Sequence, residues 1–246
     1  MVFVKFRLMR KGLMIMMLLG SWLAFTPEGK DAAMGLRNSE EARLTMRLFE
    51  RSGLNNMGLS MHAWASAFSG YLKLKTEGLL KNARYLSIAD FSKHGGMKRF
   101  FVVDMEDTCV VFHTYVSHGR NSGERYATHF SNVENSLMSS LGFFVTGATY
   151  MGQHGLSLRL LGQERGVNDR AEQRGIVVHG ADYVNDQIVQ KQGYVGRSWG
   201  CPALPQALTE SVINTIRDGS AFFIYHPSER YHENSDFLKN QQVNQL

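Results

Sequence analysis

Apolar positions along the chain change their period near residue 85. Before that point the period is helical. Ser39, Glu40 and Glu41 precede Leu44 and Leu48, the pattern of a capped amphipathic helix over 39–50. Met61, Trp64, Phe68, Tyr71 and Leu72 recur at helical spacing, which predicts a second helix over 59–75 with an aromatic stripe turned to the core. Beyond residue 85 the apolar runs are short and rich in β-branched and aromatic residues. Runs at 86–91, 99–105 and 109–116 read as strands, with Glu106-Asp107 as a hairpin turn. Loop signals fill 117–136, and strands resume at 142–146, 156–160 and 176–178. Residues 205–217 place Leu208, Val212, Ile213 and Ile216 on one helical face, and 221–225 is a last buried strand. The polar stretch from Ser228 reads as a loose tail. The pattern predicts a mainly β (α+β) domain over 85–227. An N-terminal helical extension over 34–84 packs on it, one helix follows Cys201, and a tail spans 228–246.

Composition sharpens this picture at three points. With 24 Gly against 4 Pro in 246 residues, turns and strands are favoured over long helical bundles. The net charge of +5 is concentrated at the start, where Lys5, Arg7, Arg10 and Lys11 precede an apolar run at 13–25. That run is short for a bilayer-spanning helix, which needs about 20 residues. Basic residues followed by a short apolar run are the mark of an export signal, so 1–33 reads as a signal peptide or N-terminal anchor. An exported, periplasmic or wall location follows, with membrane contact only through that segment if it stays uncleaved. Without its four basic residues the chain carries 23 Lys and Arg against 22 Asp and Glu, which leaves no basic footprint for nucleic acid.

The chemistry-bearing residues gather near the C-terminal end. The strand at 176–178 delivers His179-Gly180, and Gly196-Arg197-Ser198-Trp199-Gly200-Cys201-Pro202 follows. A thiol becomes a strong nucleophile only as thiolate and needs a base or a positive field beside it. His179 is the candidate base and Cys201 the candidate nucleophile. A third group must fix the imidazole tautomer. Backbone N–H groups of Gly200 and Cys201 are candidate oxyanion donors, and Ser198 a stabiliser of the turn or of the site. Arg197 and Arg159 are candidate carboxylate binders, because guanidinium pairs bidentately with that group. Trp199, His118 and His154 are further candidates to line the cleft, and His113 reads as structural. The histidines and Cys201 fit no standard zinc spacing, so no metal is expected. Cys109, in Thr108-Cys109-Val110-Val111-Phe112, reads as a buried core thiol. A catalytic Cys201 requires both thiols to be free.

The stretch 176–204 resembles the L,D-transpeptidase catalytic domain family of the YkuD type, whose signature is a His followed downstream by Ser/Thr-x-Gly-Cys. It is most similar to a branch with Gly-Arg-Ser-x-Gly-Cys-Pro-Ala. Val116-Ser117-His118-Gly119-Arg120-Asn121-Ser122-Gly123, Ser140-Leu141-Gly142-Phe143-Phe144-Val145-Thr146-Gly147 and His154-Gly155-Leu156-Ser157-Leu158-Arg159-Leu160 carry the likeness over roughly 55–227. The resemblance implies a YkuD-like β-sandwich and a Cys thioester enzyme acting on peptidoglycan stem peptides without metal or organic cofactor. It further implies that a tetrapeptide donor stem is joined to a second stem as a 3-3 cross-link. The same site with water as acceptor would be an L,D-carboxypeptidase or endopeptidase, and the fold without the chemistry a wall-binding module. The resemblance also implies that the carbonyl of Gly180 orients His179, with Asp182 a lesser alternative. Many members carry Arg two positions after the Cys; here Ala203 stands there, which leaves the carboxylate contact to Arg197 or Arg159. Residue order argues against a papain-like hydrolase, since there the Cys precedes the His.

Overall fold

The computed structural model describes residues 27–238, with side chains from 39 on. The greater part of the expected export segment, and residues 239–246 of the tail, lie outside the described residues. Among those described, no helix is long and apolar enough to cross a membrane. The chain divides into two compact units, one ending at Arg47 and one starting at Leu48. The boundary falls inside the first helix, α1 (Pro27–Ser52).

The second unit opens with α2 (Met61–Thr76). Ser60 caps it, its Oγ accepting from the Ala63 N–H at 3.1 Å. Trp64, Ala67, Phe68, Tyr71 and Leu74 are buried, so the aromatic stripe faces the core, against β1 (Tyr85–Asp90) and β8 (Ala221–Tyr225). Gly70 permits this close approach: a Cβ there would sit 2.0 Å from the Phe143 ring.

Between β1 and β8 come β2 (Phe100–Asp104), β3 (Cys109–Thr114), β4 (Gly142–Gly152), β5 (Gly155–Gly162), β6 (Val177–Ala181) and β7 (Ala203–Pro205). All eight form one hydrogen-bonded order, β3-β2-β1-β8-β4-β5-β6-β7. The pairs β1/β8 and β6/β7 are parallel and the rest antiparallel. Strands β2 and β8 are buried at every position, which is why they read as unbroken apolar runs rather than alternating ones. Phe143 stacks on Phe223 at 4.1 Å between ring centres. The architecture is mainly β with a few helices, as the periodicity predicts.

Five features differ from the sequence reading. Helix α3 (Asp186–Gln192) and the three-residue β7 were unmarked by periodicity: α3 buries no side chain, and β7 is too short to alternate. In α4 (Gln206–Ile216) Leu208 is exposed and Thr209 takes the inward place beside Val212, Ile213 and Ile216. Cys109 is exposed, not a core thiol, because β3 is the edge strand and its alternation turns Cys109 and Val111 outward. The stretch from Ser228 is not loose as far as residue 238. Helix α5 (Glu229–Asn234) buries Tyr231, and Phe237 stacks on Phe143 at 4.9 Å. Tyr231 Oη donates to Glu164 Oε1 at 2.9 Å, and Ser235 Oγ donates to the other carboxylate oxygen. A polar stretch can thus be held by a buried carboxylate that composition does not reveal.

Candidate active site

The parallel pairing of β6 with β7 sets the site. His179 is in register with Ala203 and Gly180 with Leu204. Cys201 precedes Ala203 by two residues, as Val177 precedes His179, so the thiol lies beside Val177. The Val177 N–H donates to Cys201 Sγ at 3.5 Å, and Sγ donates to Gly175 O at 3.6 Å. Residues two apart on a strand share a face. Val177 and His179 therefore share a face of β6, and the Cys201 turn lies beside the Val177 end of that strand.

His179 is buried, and its Nδ1 lies 2.9 Å from Gly180 O. A carbonyl only accepts, so Nδ1 carries the proton and Nε2 keeps its lone pair. Burial lowers the His179 pKa; the Gly180 carbonyl opposes that and His154 adds to it. The imidazole is thus a neutral base at neutral pH. Burial likewise raises the Cys201 pKa, against the Val177 N–H and the charge of Arg174. The resting pair is thiol and neutral imidazole, with the proton still on sulfur.

The turn carrying Cys201 is braced through Ser198 and Gly200. Ser198 Oγ donates to Cys201 O at 2.6 Å and accepts from the Gly200 N–H at 3.1 Å. Ser198 is therefore a turn residue, and the Gly200 N–H is engaged rather than offered to an oxyanion. The Cys201 N–H has no hydrogen-bond partner among the described residues. Gly200 has φ +127°, and a Cβ there would meet Met138 O at 2.7 Å, so the position requires glycine. Ser139 Oγ donates to Gly200 O at 3.0 Å and accepts from the Gly119 N–H.

The other sequence candidates fall into two groups. His154, at the β4–β5 turn, stacks on His179 with ring centres 4.4 Å apart. Arg159, in register with Val177, shares the His179 face; its guanidinium lies 4.9 Å from the centre of the Tyr150 ring. Arg197 and Trp199 are exposed on the turn, Trp199 at 74%. His118 does not line the cleft. It is 2% exposed, with Nδ1 2.6 Å from an Nη of the fully buried Arg99 and Nε2 3.2 Å from Gly123 O. Burial and Arg99 push its pKa down to about 3, so it stays neutral and structural. His113 stacks on Phe101. Asp182 is exposed and turned to Asn185 through its carbonyl. Among the described residues no group of His, Cys, Asp and Glu could hold a metal. Both cysteines are free, at opposite ends of the strand order.

Sequence reasoning missed Arg174. Its guanidinium donates to Ser131 O and Met138 O, each at 2.7 Å, and to Ser140 Oγ at 2.5 Å, while its Nε is buried without a partner. It thereby anchors the 131–140 segment, whose Met138 carbonyl packs on Gly200, and it places a cation near the thiol. Its position in a charged, turn-rich stretch gave no sign of this; its place three residues before the β6 strand was the available signal.

A family model described as the L,D-transpeptidase catalytic domain matches residues 55–225. The chain belongs to this family. The match holds α2, the sheet, His179 and Cys201. Among solved structures the chain is similar to an L,D-transpeptidase from Mycobacterium smegmatis, at 17% identity and a TM-score of 0.36, with 58% of this chain and 59% of that one covered. It is also similar to L,D-transpeptidase 3 from Mycobacterium tuberculosis, at 14% identity, a TM-score of 0.37 and 58% and 61% coverage. A third is the helical cell shape determining protein Pgp2 from Campylobacter jejuni, at 15% identity, a TM-score of 0.39 and 59% and 49% coverage. The aligned part spans about half to three fifths of the length of these structures. No curated protein matches the chain.

Proposed function

We propose that the protein is an exported L,D-transpeptidase that joins peptidoglycan stem peptides through a Cys201 thioester. The observation that carries this reading is the β6/β7 register, which sets Cys201 beside the strand of His179 while Gly180 O fixes the imidazole with Nε2 free. Nε2 takes the thiol proton as sulfur attacks the carbonyl of the third residue of a tetrapeptide stem. The Cys201 N–H, unpartnered at rest, donates to the oxygen that becomes negative; losing such a donor costs about 3–4 kcal/mol of barrier. Collapse breaks the C–N bond, and the imidazolium returns its proton to the leaving D-Ala amine. The thioester then reacts with an amine of a second stem, whose proton passes to His179, and the thiol is restored.

The test is a product assay. The full chain and its Cys201→Ala variant are incubated with a purified disaccharide-tetrapeptide, and products are weighed by mass spectrometry. A dimer formed with loss of one D-Ala, absent from the variant, is expected. A tripeptide alone would make water the acceptor and the protein a carboxypeptidase. No Cys201-dependent product from stems or from cross-linked sacculi would leave a wall-binding module.

A further inference from the structure

A cavity of about 850 Å³ lies between the 128–138 stretch, the 165–167 turn and α5, and neither His179 nor Cys201 lines it. Its volume falls within the roughly 300–1,000 Å³ usual for a ligand site. Phe130, Val133, Leu141 and Val167 give it an apolar wall, with Val133 62% exposed at the surface. Arg165 and Arg230 bring two guanidinium groups, and no carboxylate lines it. Among the described residues neither arginine forms an ion pair. The acidic neighbours are already engaged. Asp169 Oδ1 accepts from the Gly166 N–H at 2.8 Å and from Asn132 Nδ2 at 2.7 Å. The Glu164 carboxylate accepts from the Phe143 N–H, Tyr231 Oη and Ser235 Oγ.

The backbone of one wall is also unused. The N–H groups of Thr128 and His129 both donate to Ser122 O, and that of Ser131 donates to Ser139 O. The N–H groups of Phe130 and Asn132, and the carbonyls of His129, Phe130 and Asn132, have no partner among the described residues. This stretch belongs to no helix or strand. Water satisfies such groups at rest. A peptide can replace that water, because its own backbone carries donors and acceptors in alternation. A lone phosphate or carboxylate would meet the guanidinium groups and leave the apolar wall and these backbone groups idle. The wall is held in advance of binding, since Arg174 donates to Ser131 O and Met138 O at 2.7 Å each. A surface already ordered loses less entropy when a ligand arrives.

We infer that this cavity docks an acidic peptide segment of a partner protein. The segment's carboxylates pair with Arg165 and Arg230, since guanidinium and carboxylate form a charge-assisted fork. Its backbone pairs with residues 129–132, and its apolar side chains pack on Phe130, Val133, Leu141 and Val167. The site is independent of the reaction at Cys201. Met138 lines the cavity, however, and its carbonyl abuts Gly200, so the occupant touches the segment that supports the Cys201 turn.

The experiment measures fluorescence anisotropy of a fluorescein-labelled hexapeptide of alternating Glu and Leu, titrated with the full chain. Saturable binding is expected. Kd should rise at least tenfold in Arg165→Glu and in Arg230→Glu, and stay near the parent value in Arg165→Lys and Arg230→Lys, which keep the charge. The same peptide with Lys in place of Glu should not bind. Methylation of alternate backbone nitrogens of the acidic peptide should weaken it at least tenfold, which a site for simple anions would not show. Unlabelled tetrapeptide stem should displace the probe poorly. No saturable binding, equal binding of the Lys peptide, or a Kd indifferent to both Glu variants or to N-methylation overturns the proposal. Displacement by the stem at lower concentration than by unlabelled acidic peptide also overturns it, and reassigns the cavity to substrate.

Discussion

At the scale of single residues, the site is a neutral pair held ready for proton transfer. Two neighbours tune it. Arg174 pulls the Cys201 pKa down against the burial that raises it. Arg174→Gln should therefore move the midpoint of pH-dependent thiol alkylation upward, while Arg174→Lys holds it near the parent value. Rapid alkylation by iodoacetamide across pH reads this directly, and an unchanged midpoint in the Gln variant would remove Arg174 from the site. His154 acts on the other partner. It adds to the lowering of the His179 pKa and covers the ring. Replacing it with Gln removes this lowering influence, so the His179 pKa should rise. The acid limb of the kcat/KM profile, where the base becomes protonated, should shift to higher pH.

At the scale of elements, the buried pair Arg99–His118 joins the residue before β2 to the loop after β3, which bridges to the Cys201 turn through Gly119 and Ser198. His118 has an ordinary pKa of 6.5 and a folded one of about 3. The unfolded chain therefore binds more protons in that window. The stability this neutral histidine contributes is full above pH 6.5 and is lost as pH falls from there toward 3. His118→Gln, which retains an acceptor for Arg99, should flatten the loss, as measured by urea midpoints at a series of pH values. The pair also marks what the sequence makes legible. His179 and Cys201 stand out because strand, glycine and thiol chemistry coincide in a short stretch. His118 stands beside a glycine just as they do, yet a guanidinium from a distant strand decides its role. Tertiary partners likewise govern Arg174, the Glu164 anchor of α5 and the inward place of Thr209, and local pattern carries no record of them. The strands from β1 to β6 were legible because burial on one or both faces writes period and length into the chain; α3, with no fully buried side chain, writes neither.

At the scale of the whole molecule, the two thiols occupy contrasting surroundings at opposite ends of the strand order. Cys109 is exposed on an edge strand, where unpaired N–H and C=O groups also face outward. Without reductant the protein should form covalent dimers through Cys109. Cys109→Ser should abolish them on non-reducing gels and leave turnover unchanged. Dimers that persist in the variant would mean that Cys201 is accessible enough to couple. The resting bond from Cys201 Sγ to the Gly175 carbonyl argues otherwise and bears on durability as well as on rate. Thiolates, not thiols, attack peroxide and disulfides. A nucleophile stored with its proton, and ionised only while a base takes that proton during acyl transfer, is shielded from oxidants between turnovers.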